Sequence, residues 1–123
     1  MALDLMQPAW WREVPNRLEA ELASFSDPER QDEFRTLLCT PVVERRCWDW
    51  NDDRLVEVCI FARSPGSPIL FACANGGYDD PWGLITEGDL SLGMDAQWYL
   101  YLEDAFIDSG ISRRPPPVGF EVR

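Results

Sequence analysis

The stretch RLVEVCIFARSPGSPILFACANGG, residues 54–77, decides the fold: two apolar runs flank Ser64-Pro65-Gly66-Ser67-Pro68 and end at Asn75-Gly76-Gly77. Val, Ile, Phe and Cys suit a pleated surface, while Pro, Gly, Ser and Asn supply turn geometry. In the first run Val56, Val58, Ile60 and Ala62 alternate as one face. Leu55, Cys59 and Phe61 make the other face apolar too, with Glu57 the exception, so this strand is expected inside a sheet covered on both sides.

Working outward, residues 42–50 form the preceding strand, joined through Asn51-Asp52-Asp53, and residues 68–75 the following one. Links this short favour an antiparallel meander. Residues 82–86 and 90–94 are expected as a further hairpin about Glu87-Gly88-Asp89. Upstream, residues 16–25 put Leu18, Leu22 and Phe25 on one helical face. Ser26 with Glu29 makes a capping-box pattern ahead of Pro28 and starts a second helix, with Phe34, Leu37 and Leu38 apolar and Pro41 as its stop. Asp95 is expected to cap a last helix over residues 96–108, ending at Gly110, with Trp98, Leu102, Ala105 and Phe106 as its stripe. Val118, Phe120 and Val122 alternate as an edge strand would. The expected fold class is α+β: an antiparallel β-sheet of about five strands with two N-terminal helices and one C-terminal helix. Residues 1–123 form one domain, with 1–15 and 112–123 as extended terminal segments.

The 123 residues include no histidine and no lysine, and set 22 acidic side chains against 11 arginines, for a net charge of −11. Without histidine there is no imidazole base, Ser-His or Cys-His nucleophile or imidazole ligand, and without lysine no Schiff base or P-loop clamp. No Gly-x-Ser-x-Gly occurs. The reading is of a protein that is not an enzyme and takes no cofactor. The acidity repels nucleic acid and anionic membrane surfaces and would draw in a basic partner, although plain solubility explains it as well. Cys39, Cys47, Cys59 and Cys73 include no CxxC, so they are read as reduced thiols of a cytoplasmic protein rather than a zinc site. The N-terminal residues lack a signal-peptide pattern.

Two acidic segments carry aromatic neighbours. Counting from Asp49, a calcium loop would need glycine at the sixth position and glutamate at the twelfth; Arg54 and Ile60 stand there, so no metal is assigned. Tyr78-Asp79-Asp80-Pro81-Trp82 could pair carboxylates for acid–base work, but a solvated loop or a binding patch requires less. Trp48 and Trp50 share a strand face, either covered by a helix or open to a partner. The candidate partner-binding residues are Trp50, Asp52, Asp53, Tyr78, Asp79, Asp80, Trp82, Glu87 and Asp89. Arg113-Arg114-Pro115-Pro116-Pro117 reads as a rigid spacer more than as an SH3-type ligand.

The stretches Pro81-Trp82-Gly83-Leu84-Ile85, Leu92-Gly93-Met94-Asp95, Trp98-Tyr99 and Leu102-Glu103-Asp104-Ala105-Phe106 cover about the last third of the chain. They resemble small acidic immunity proteins encoded beside bacterial polymorphic or type VI secretion toxins. The resemblance implies a cytoplasmic protein that plugs or masks a cognate toxin's active site and performs no catalysis; monomer and homodimer both stay open. It assigns no contact residue. A secretion chaperone or adaptor that binds an effector segment is the alternative.

Overall fold

The computed structural model describes residues 10–47, 55–74, 80–88, 92 and 96–123. A single 3₁₀ turn, Trp10–Glu13, leads into α1 (Val14–Ala23), so residues 10–15 are helical where an extended segment was expected. Val14, Leu18 and Leu22 recur one turn apart and are buried together. In α2 (Pro28–Arg35) the cap is Asp27 rather than Ser26. Asp27 Oδ1 accepts from the backbone N–H of Glu29 at 2.9 Å and of Arg30 at 3.4 Å, while Ser26 turns to Glu103.

Five antiparallel strands follow as a simple meander: β1 (Leu38–Cys47), β2 (Leu55–Arg63), β3 (Ile69–Ala74), β4 (Trp82–Thr86) and β5 (Gln97–Tyr99). Pro41 does not stop a helix. It sits within β1, where the pairing register with β2 shifts between Leu38 and Val42, and an outer strand tolerates the missing N–H. The interior strand β2 is buried on both faces, as its double apolar pattern required.

The last third departs from its expected layout. The fifth strand is Gln97–Tyr99, paired with Trp82–Leu84, and α3 (Leu102–Ser109) begins only after it. Within residues 90–94 only Leu92 is described, and it is not in a strand. Trp98 therefore belongs to the sheet, not to the helix stripe. Tyr101 provides no side-chain cap to α3; the carboxylate of Glu21 on α1 accepts from the Leu102 N–H instead, at 3.0 Å. A partner distant in sequence thus sets where the helix starts. Gly110 closes α3 in the left-handed region, at φ 75°. Residues 118–122 form no strand: Pro117–Phe120 is a turn, with the Phe120 N–H on the Pro117 carbonyl at 3.0 Å.

The sheet has two apolar faces. On the first, the three helices lie over Cys59, Phe61, Phe71, Cys73 and Trp82, with Phe34 and Phe106 edge-on to one another at 5.0 Å. On the second, Val56, Val58, Ile60, Leu70, Ala72 and Ile85 pack with Leu92 and half-buried Trp98. The Leu92 N–H donates to the Cys47 carbonyl, and buried Arg46 reaches from β1 to the Thr86 carbonyl of β4, which is not its neighbour. Both bonds curl this face over its own small cluster.

Phe106 is fully buried against Phe34 and Phe71, so Phe106→Ala is expected to lose about 3–5 kcal/mol in denaturant titration, as a cavity-forming change does. Gly83 has the opposite problem: an added Cβ would stand 2.5 Å from the Trp98 ring. Gly83→Ala should cost about 1–3 kcal/mol by overpacking, and Trp98→Leu in the same chain should recover most of that loss.

Candidate protein-binding surface

Strand register decides which loops share an end of the sheet. Cys47 pairs with Leu55 where β1 meets β2, Ala74 at the end of β3 pairs with Val58, and Trp82 at the start of β4 pairs with Cys73 and with Tyr99. The strand ends from which segments 48–54, 75–81 and 100–101 depart therefore lie at one end. The turn at 64–68 and Glu87 lie at the other.

Of the expected contact residues, Trp50, Asp52, Asp53, Tyr78, Asp79 and Asp89 lie outside the described residues, as does Trp48. Asp80 is exposed at the shared end. Trp82 corrects the expectation of an exposed anchor: it is 1% exposed, meets Phe61 edge-on at 5.6 Å and lies under the Arg17 guanidinium at 5.7 Å. Its place opposite Cys73 turns the ring toward the helices, where it is core. Glu87 is exposed but at the opposite end from Asp80, in a 3.2 Å ion pair with Arg63, so it does not join the same surface.

Much of the acidity elsewhere is spent on arginine. Buried Arg30 bonds Glu103 at 3.3 Å and the Pro115 carbonyl at 2.9 Å, and Arg114 reaches Asp27 and Glu29. Arg123 lies on Asp104, Arg35 on Glu19 and Arg46 on Glu44. The bonds of Arg30, Arg114 and Arg123 fasten residues 114–123 over the N-terminal ends of α2 and α3. Arg114 holds the Asp27 carboxyl below the usual aspartate range, and Arg35 does the same for Glu19. Both shifts run opposite to what a general acid needs.

Burial raises the Cys59 thiol to about 11, with Cys73 and Cys39 nearby adding to the effect; burial raises Cys73 too, against the pull of Arg17. Thiols kept protonated are poor nucleophiles. None of the four cysteines is in a disulfide. Among the described residues no group of three or more Cys, Asp or Glu could hold a metal ion, and no helix is long and apolar enough to cross a membrane.

One apolar feature had no clear signal in the sequence. Between α1 and β1 a shallow groove of about 230 Å³ is lined by Val14, Leu18, Leu22, Leu38, Pro41 and Phe61. Half-exposed Leu38 and Val42 flank it on a strand with no outer neighbour among the described residues. Pro41 and the shifted register interrupt that edge, as edges protected from strand addition are interrupted. No family model, curated protein or solved structure matches the chain.

Alkylation of native protein at mildly alkaline pH should label half-buried Cys39 and Cys47 first. Cys59 and Cys73 should react only on unfolding, which peptide mass mapping resolves.

Proposed function

We propose that this chain is a binding protein that captures and neutralises a basic protein partner, in the manner of the immunity proteins its last third resembles. One observation carries the reading: the strand ends leading into the acidic, aromatic-bearing segments 48–54 and 75–80 lie at one end of the sheet, with Asp80 exposed there. Carboxylates gathered at one end of a rigid sheet steer a cationic partner and raise its rate of encounter, while packed side chains set how long it stays. Trp82 being core, the aromatic anchors of this reading are Trp50 and Tyr78. The proposed setting is the cytoplasm, where four cysteines outside any disulfide stay reduced. The adaptor reading draws on a different feature, the apolar groove beside β1, which would seat an effector segment.

Co-expression with the toxin encoded by an adjacent gene should rescue growth, and the purified pair should form a closed complex. Neutralising Asp52, Asp53, Asp79 and Asp80 together should slow association about tenfold at low salt and flatten its salt dependence in stopped-flow measurements. Association indifferent to salt and to all four changes would reduce the acidity to solubility.

A further inference from the structure

The first turn of α3 holds a carboxylate that is almost wholly buried, yet what satisfies it is an exposed arginine. Asp104 Oδ2 accepts from the Arg123 backbone N–H at 2.9 Å and from its Nε at 3.2 Å, and Oδ1 accepts from Nη2 at 2.9 Å. The Asp104 side chain is 3% exposed, whereas that of Arg123 is 57% exposed. The guanidinium also lies over the Tyr101 ring, 4.2 Å from its centroid. Two bonds to two carboxylate oxygens, plus a stacking face, match the planar fork of arginine and not the point charge of lysine.

We propose that Asp104 and Tyr101 form an arginine-recognition site, which Arg123 occupies in cis and from which an arginine on a partner protein displaces it. The receiving half is built in. Asp104 is fixed in a helix, and its neighbour Glu103 is anchored by Arg30 and by the backbone N–H and hydroxyl of Ser26. The occupying half is carried on a segment without regular secondary structure. Exchanging one guanidinium for another never leaves the buried carboxylate bare, so displacement avoids the cost of an unpaired buried charge. The rim suits a protein partner, because Leu100, Tyr101 and Val122 each expose more than a third of their surface. Since Tyr99 pairs with Trp82, Tyr101 leaves the sheet at the same end as exposed Asp80. The site thus deepens the proposed capture of a basic partner by naming the side chain recognised.

The test uses the full chain and a small probe, so its outcome does not depend on any toxin. N-acetyl-arginine amide is titrated into wild-type protein and Arg123→Ala, with N-acetyl-lysine amide as control, following the amide NMR signals of residues 101–104. In wild type the tethered Arg123 competes at a high effective concentration. Arg123→Ala should therefore half-saturate at about tenfold less arginine probe than wild type, and the lysine probe should leave both proteins unmoved. Asp104→Asn added to Arg123→Ala should abolish the response. Should that variant not fold, Tyr101→Leu, which removes the stacking face, should weaken it severalfold. Equal response of wild type and Arg123→Ala, or equal response to both probes, would reduce Arg123 to a structural fastening and overturn the proposal. Failure to neutralise a toxin alongside intact arginine uptake would instead count against the proposed function alone.

Discussion

The assembly turns on one buried ion pair. Arg30, in the first turn of α2, meets Glu103, in the first turn of α3, across 73 residues of chain. Glu103 also accepts the Ser26 N–H and hydroxyl, and Arg30 also holds the Pro115 carbonyl. Three separate stretches therefore converge on two side chains. Such a pair contributes little net stability over apolar residues of the same volume, because desolvation offsets its attraction. Removing one partner, however, strands a buried charge at a cost of about 3–5 kcal/mol. Arg30 Nε, buried with no hydrogen-bond partner, adds to that imbalance. The pair's consequence is positional: it aligns the starts of two helices and draws the last residues against them.

That alignment divides the acidity into two populations. Asp27, Glu29, Glu103 and Asp104 face arginines at the junction of helices and tail, where their charge is absorbed within the molecule. Asp80 is exposed at the end of the sheet where Cys47 and Ala74 close β1 and β3, apart from that junction. The first population supports the fold, and the second is the one that the proposed function sets against a basic partner. Asp104 bridges the two: it is neutralised internally, but by a side chain more than half exposed.

The meander was legible because period-two alternation and turn clusters coincide across residues 54–77, and a strand apolar on both faces must be sandwiched. The helical face of α1 was legible for the same kind of reason, since Leu18 and Leu22 leave one arrangement that buries both. Residues 96–108 misled because Trp98, Leu102, Ala105 and Phe106 fit a helical stripe as far as sequence spacing goes. What overrode that spacing was β4, an open edge beside the chain. Gln97–Tyr99 pairs with it, and Trp98 covers the space a side chain at Gly83 would have filled. Trp82 misled in the opposite sense, since carboxylates beside it in sequence suggested exposure while strand parity turned its ring inward.

Composition and periodicity by themselves determined an α+β chain with an antiparallel sheet, an apolar core and an acidic surface, because those properties are sums over residues or repeats along neighbours. Only the tertiary structure decided which acidic groups lie together, that Glu87 and Asp80 stand at opposite ends of the sheet, and that Arg123 occupies the Asp104 carboxylate. Contacts between residues 19 to 87 positions apart leave no period in the sequence. They exist because packing brings one buried charge within reach of another, and burial without a partner would cost more than the fold can lose.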